Sequence, residues 1–360
     1  MDAGEATMVD QGFPLEIESI TSLWLESVLR SESVAKVRSS KVEHVIWGTA
    51  TKALISVEVE DHAGQSRRLD LCVKGPFDEA LRQYYDLGVM FVVEAAFYRD
   101  IAPLLTVPLP HSYYATEDGQ YGIVILENMT ARGCTFADPQ FAMTPDQAAA
   151  GLRTLAGIHG SSWGWKTDRF DWLQLGSAST RAGIPAMSEG DRYSELCARP
   201  EVKSFLPAAY ADKDRILSAL DTLWRRDDSR DDLALVHGDA HLGQVYFDPD
   251  GEIGFLDWQS TGLMPPIKDV AYFLGGALSV SDRRAHERDL LTAYLTALHA
   301  SGGPKLSLDD IWDDYRMQML QGIVWVVVTE KMQSREAIAA LNERYLTAMA
   351  DLGTLEALGC

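Results

Sequence analysis

The stretch that most restricts this chain lies at residues 235–259. A short apolar run, 233–236, ends in a polar loop that carries His237, Asp239, His241 and Gln244. A second apolar run, 245–247, is followed by Asp248-Pro249-Asp250-Gly251. That combination favours a tight turn, because proline presets φ and glycine tolerates the reversed one. A third run, 253–256, then delivers Asp257. Apolar runs flanking such a turn predict a β-hairpin, which returns its second strand to the place where the first began. Asp239 and Gln244 are therefore expected close to Asp257, although 18 positions separate the two aspartates. Two carboxylates and an amide oxygen suit a hard cation such as Mg²⁺, which takes one or two carboxylates and leaves its other positions to water and phosphate.

Upstream, residues 42–47, 53–59, 69–73, 112–115 and 121–126 read as five strands, the last two joined at Asp118-Gly119. The segment 87–101 reads as a helix with Val89, Val93, Ala96 and Phe97 on one apolar face and Glu94 beside them. A short helix near Ser22 places Leu25, Val28 and Leu29 at helical spacing. Thr144-Pro145-Asp146 opens a further helix, with threonine as the cap and proline in the first turn. From about 129 onward the pattern is mostly helical, so two domains are expected, 1–128 and 129–360. Lys74, at the end of the third strand, either marks where that strand surfaces or has a task of its own. Gly48-Thr49 is either a plain hairpin turn or a backbone approach to an anion.

His237-Gly238-Asp239, with Gln244 five positions after the aspartate, and Asp257-Trp258-Gln259 after the hairpin resemble the core of protein-kinase-like phosphotransferases. The resemblance is to the small-molecule branch: aminoglycoside phosphotransferases, choline kinases and the ecdysteroid-kinase-like group. Pro265-Pro266, leading into a helix with Asp269 near its start, is similar to the same branch. The resemblance implies an α+β, bilobal protein-kinase-like fold, with a five-stranded antiparallel N-lobe sheet and a mostly helical C-lobe. It implies Mg²⁺-dependent transfer of the ATP γ-phosphate to a hydroxyl of a small molecule, of the aminoglycoside, choline or sterol kind. Asp239 becomes the catalytic base, His237 and Asp269 support its loop, and Gln244 and Asp257 bind the metal. Lys74 is set on the α- and β-phosphates and held by Glu94, while Gly48 and Thr49 cover the phosphates. Glu127, Asn128 and Met129 form the stretch whose backbone meets the adenine edge. The branch usually has asparagine where this chain has Gln244, which is longer by one methylene, roughly 1.5 Å of reach.

Composition narrows the partners. Thirty-two basic against 53 acidic residues give a net charge of −21, which argues against nucleic acid, whose phosphates need neutralising. No apolar run approaches the roughly 20 residues of a membrane helix. The acidic start of the chain lacks the basic and apolar regions of a signal peptide. Cys72, Cys134, Cys197 and Cys360 show no paired spacing, and a cytoplasmic location is the simplest expectation.

Rival readings come from the same residues. His237, Asp239 and His241 at alternate positions, with Asp257, form a ligand set for a zinc or two-metal hydrolase. A nucleotide-binding pseudokinase draws its support from Gln244. Trp312, Asp313, Asp314 and Tyr315 either cradle a quaternary ammonium through cation–π contact or belong to an ordinary amphipathic helix. His159 ends a leucine- and alanine-rich helix and reads as structural.

Overall fold

The computed structural model describes residues 14–48, 50–84, 88–176, 181, 183–185 and 188–360; Thr49 and Leu87 lie outside them. The chain divides into two compact units, Met1–Arg99 with Pro110–Arg132, and Asp100–Leu109 with Gly133–Cys360.

The first unit is built on an antiparallel sheet of five strands, β1 (Val34–Ile46), β2 (Thr51–Asp61), β3 (Ser66–Gly75), β4 (Ser112–Glu117) and β5 (Gly122–Glu127). Their order is β1-β2-β3-β5-β4. Burial alternates along β2, with Ala53, Ile55, Val57 and Val59 inward, as the two-residue period of a half-covered strand requires. These side chains, with Leu69, Leu71 and Val73 of β3, form a core with Trp24 and Leu25 of helix α1 (Ser22–Val28). Strand β1 begins at Val34, well before the expected residue 42. It is an edge strand with mostly exposed side chains, so its first half carries no apolar alternation to read.

Helix α2 (Gly88–Ala96) passes into a wider turn over Phe97–Ile101, which the expected single helix of 87–101 did not anticipate. Ala96 and Phe97 are buried as expected, but the inward face departs from the expected one at its start. Val89 is 55% exposed, while Phe91 and Ala95 are buried. The reason lies on β5: a Cβ at Gly122 would stand 2.2 Å from the Phe91 carbonyl oxygen. Helix and strand backbones therefore touch directly, and that contact sets the rotation of α2.

The second unit holds the long helices α3 (Pro145–Ser161), α4 (Lys213–Asp228), α5 (Ile267–Ala277), α6 (Val280–Ala300), α7 (Leu308–Gln318) and α8 (Arg335–Leu352). Thr144 caps α3 as expected, and Gln147 completes a reciprocal box with it. Every residue of α5 is buried, so this helix is surrounded by its neighbours. Two small sheets complete the unit. One runs β6 (Thr135–Phe136), β8 (Val245–Phe247), β9 (Ile253–Phe255); the other pairs β7 (Ala234–Val236) with β10 (Gly262–Met264). Among the described residues no helix is long and apolar enough to cross a membrane.

Candidate active site

The expected hairpin is β8 and β9, paired antiparallel from Val245 opposite Phe255 to Phe247 opposite Ile253. Gly251 closes the turn at φ +85°, its N–H donating to the Asp248 carbonyl at 2.9 Å. The apolar run before the loop does not join this sheet. Its strand β7 pairs with β10, Val236 standing opposite Gly262. At the open end of the hairpin, the Leu256 N–H donates to the Gln244 carbonyl at 2.8 Å. The Leu256 carbonyl in turn accepts from His237 Nε2 at 2.8 Å. Asp257 is thus attached to a residue fastened to both Gln244 and His237. It adopts the left-handed region at φ +69°, uncommon for a residue with a side chain, and turns the chain into Trp258–Ser260.

Helix α5 fixes the loop that carries Asp239. Asp269 accepts the backbone N–H groups of His237 at 2.6 Å and Gly238 at 3.0 Å. Lys268 donates from its ammonium to the Gly238 carbonyl at 2.7 Å. Gly238 sits at φ +84°, and a Cβ there would lie 2.0 Å from the Ser260 carbonyl oxygen, so no other residue fits. Behind Asp269 stands His159, with Nε2 3.4 Å from the carboxylate and Nδ1 2.9 Å from the Tyr294 hydroxyl.

Burial would raise the Asp269 pKa, but the hydrogen bond from His159 and the nearby Lys268 ammonium outweigh it. The net direction is downward, so Asp269 stays an anion able to hold two backbone donors. Burial pushes the Lys268 ammonium down from the usual lysine value. His237 is also pushed down by burial, and both ring nitrogens are engaged, since Nδ1 accepts the Asp239 N–H at 3.2 Å. A neutral ring donating from Nε2 satisfies both bonds. Trp258 packs 4.7 Å from this ring, centroid to centroid, and is fully buried.

The Asp239 side chain is 31% exposed. Its Oδ2 lies 3.5 Å from the Gln244 amide nitrogen and 3.7 Å from His241 Nε2. The Tyr272 hydroxyl also faces Asp239; burial first, then that carboxylate, raises its pKa and keeps it protonated. Lys268 and Tyr272 are four residues apart on α5 and so share one face of it. Sequence reasoning missed both. The available signal was two polar groups in a helical run that is otherwise nearly all apolar.

In the first unit, Lys74 on β3 meets Glu94 on α2, with Nζ 2.8 Å from Oε1 and 2.6 Å from Oε2. Both side chains are 4% exposed, so the lysine does not mark a surfacing strand. Glu127 accepts from the His111 N–H at 2.7 Å and from Arg132 at 2.9 Å, while Asn128 donates its N–H to the Asp70 carbonyl at 2.8 Å. Asn128 Oδ1 accepts the Thr130 and Ala131 N–H groups, folding the chain tightly around Met129. Gly48 accepts from the Thr51 hydroxyl at 3.3 Å, and a Cβ on it would meet open space.

Two of the rival readings fail on geometry. His237 offers no lone pair, because one nitrogen accepts from Asp239 and the other donates to Leu256. The alternating His-Asp-His set is therefore no ligand set, and among the described residues no cluster of three or more His, Cys, Asp or Glu could hold a metal. Asp314 is buried in ion pairs with Arg226 and Arg230, and Tyr315 is fully buried. The face of Trp312 is covered by the Arg288 guanidinium at 4.0 Å. This is the amphipathic helix, not a cradle for a quaternary ammonium.

Residues 50–302 match the ecdysteroid kinase-like family. That span covers well over half of the 360 residues. The chain belongs to the ecdysteroid kinase-like family. As a member it is a small-molecule kinase, and the bilobal α+β architecture expected from its motifs is the one its strands and helices form. None of the curated proteins matches this ecdysteroid kinase-like chain. Among solved structures it is similar to a choline/ethanolamine kinase family protein from Mesorhizobium loti, 16% identical, covering 88% of this chain and 92% of that one at a TM-score of 0.47. It is also similar to a macrolide 2′-phosphotransferase from Brachybacterium faecium, 17% identical, with 89% and 97% covered and a TM-score of 0.46. For a choline kinase from Streptococcus pneumoniae the identity is 16%, the coverage 91% and 98%, and the TM-score 0.46. The family assignment rests on the family match, not on these likenesses.

Proposed function

We propose that this ecdysteroid kinase-like protein transfers the γ-phosphate of ATP to a hydroxyl of a small molecule, with Asp239 as the catalytic base. The observation that carries the proposal is the clamp at the open end of the hairpin. Gln244 is bonded to Leu256, the residue before Asp257, and its amide lies against Asp239.

The acceptor hydroxyl gives its proton to the Asp239 carboxylate as its oxygen bonds to the γ-phosphorus and the bond to the β-phosphate oxygen breaks, releasing ADP. Asp239 is suited to this because it is partly open, while its backbone is immobilised by Asp269, Lys268 and His237. Positioning of this kind removes much of the entropic part of the barrier. The Asp257 carboxylate and the Gln244 amide oxygen are hard oxygen donors that fit Mg²⁺. Bound there, Mg²⁺ supplies charge neutralisation to the β- and γ-phosphates. Lys74, oriented by Glu94, adds a point charge for the α- and β-phosphates. The backbone of Glu127, Asn128 and Met129 meets the adenine, and Gly48 lies over the phosphates.

Calorimetric titration with a non-hydrolysable ATP analogue, with and without Mg²⁺, tests the reading. Magnesium-dependent binding is expected, followed by acceptor-dependent ADP release that Asp239→Asn reduces by a factor of about 10² or more with nucleotide affinity retained. Binding that ignores magnesium points instead to a nucleotide-binding module without turnover. Absence of binding overturns the proposal.

A further inference from the structure

His241 faces both Asp239 and Gln244 and has no part in the chemistry proposed so far. Its ring is held from several sides. Nδ1 accepts the Gly243 N–H at 2.9 Å, so a neutral ring carries its proton on Nε2. The ring folds back over Gly243, where a Cβ would lie 2.5 Å from the His241 Cε1. Trp325 meets it edge-on at 5.2 Å between centroids, and Tyr272 does so at 6.3 Å. Only 7% of the residue is exposed. An N–H donor is therefore aimed at one fixed point beside Asp239.

At that point it meets the Gln244 amide nitrogen, 3.4 Å away. Two donors facing each other repel. The two ends of an amide are nearly equal in size, so a half-turn of the terminal group exchanges oxygen for nitrogen at little steric cost. With the nitrogen inward, the amide serves Asp239 Oδ2 at 3.5 Å and opposes His241. With the oxygen inward, it accepts from His241 and sets two oxygens side by side, an arrangement that calls for a cation. The amide thus has two settings. His241 favours the one that presents oxygen.

We infer that His241 is a positioning residue for Gln244, its Nε2–H holding the amide oxygen ready for the cation. This contact compensates for the extra methylene by which Gln244 exceeds the asparagine usual at this place. The inference rests on the proposed role of Gln244 and concerns the orientation of its amide, not the protonation of His241.

The test is a double-mutant cycle read by calorimetry as the gain in affinity for the non-hydrolysable ATP analogue on adding Mg²⁺, with Mn²⁺ binding followed by electron paramagnetic resonance. His241→Phe keeps a ring and removes the donor; Gln244→Asn removes the need for it. His241→Phe is expected to lower the metal-dependent affinity by about tenfold, as loss of an outer-shell partner does. In the Gln244→Asn background the same substitution should change it by less than about threefold, because the coupled partner is gone. His241→Gln, whose amide nitrogen reaches the place of Nε2, should retain the wild-type value within about threefold and serves as a second probe should phenylalanine disrupt packing.

Equal losses in both backgrounds, equal losses from His241→Phe and His241→Gln, or no loss from His241→Phe in wild type would each overturn the inference. A wild-type protein that binds nucleotide without regard to metal would instead remove the proposed function, and this inference with it.

Discussion

Lys268 donates to the carbonyl of Gly238, the residue immediately before Asp239, across 2.7 Å of a buried site. Its neighbour Asp269 accepts the N–H of the same glycine at 3.0 Å. The two peptides that flank Gly238 are therefore each gripped by one of two adjacent residues of α5. Neither contact touches a reacting group. Both decide where Asp239 stands.

Lys268→Met tests the carbonyl side of that grip. The substitution keeps an unbranched chain one atom shorter, removes a costly buried charge and leaves the Gly238 carbonyl without its ammonium donor. The two effects oppose each other, since an unpaired group costs about 1–3 kcal/mol and relief of the charge offsets it. Thermal stability is expected to move little, whereas ADP release should fall tenfold or more because the peptide before Asp239 is released. A turnover equal to wild type would show that Asp269 alone holds the loop.

Gly238→Ala should be far more damaging to stability. Its Cβ would press on the Ser260 carbonyl at 2.0 Å, and φ of +84° is strained for alanine. A loss of at least about 2 kcal/mol is expected in a denaturant titration, the strain and the clash adding. Near-wild-type stability would mean that the loop has room the structure does not show.

Lys74→Ala isolates the buried pair of the first unit. Removing the ammonium breaks a buried ion pair, a change that costs on the order of 3–5 kcal/mol. Both side chains are 4% exposed, so water cannot make up much of that loss. The melting temperature should drop, and nucleotide affinity should fall at least tenfold. Lys74→Ala combined with Glu94→Gln should recover most of the stability and none of the affinity, which separates the two roles.

Asp227 supplies a pH signature. It is buried, accepts from Gln318 at 2.8 Å, and burial pushes its pKa up to about 6, from 3.8 in the open chain. The folded protein therefore binds the proton more tightly than the unfolded one. Its stabilising contribution is complete below about pH 3.8 and is lost as pH rises through about 6, to a total of about 3 kcal/mol. Asp227→Asn should remove that fall and leave the variant more stable than wild type at pH 7. Melting curves of both proteins between pH 4 and 7 that stay parallel would contradict the assignment.

Much of this protein was legible from local pattern. The turn Asp248-Pro249-Asp250-Gly251 between apolar runs identified the hairpin, because turn chemistry and strand alternation are short-range properties. The cap at Thr144 and the strand positions of β2 and β5 were readable for the same reason. The family was legible as well, since His237-Gly238-Asp239 and Asp257-Trp258-Gln259 are fixed in spacing by the hairpin between them. Less could be read where burial is partial or one-sided. Strand β1 lies at an edge, and its first half gives no periodic signal. The inward face of α2 was misplaced at Val89, because a single glycine on β5 sets the helix rotation from 30 or so positions away.

The contacts that shape the site were decided by tertiary structure alone. Nothing local joins His159 to Asp269, 110 positions apart, or aims Tyr272 at Asp239. Lys268 looks in sequence like an ordinary surface lysine at a helix start, and only the complete burial of α5 turns it into a support for the loop. His237 and His241, four positions apart, were open to the same role as metal ligands until their hydrogen bonds were seen. The physical reason is common to all of these. A sequence specifies which groups can donate, accept or carry charge, but desolvation and partner choice are properties of the packed interior. The residues proposed for the chemistry, and His237 and Asp269 beneath them, were therefore named from the sequence, while Lys268, Tyr272 and the contacts of His159 were named by the fold.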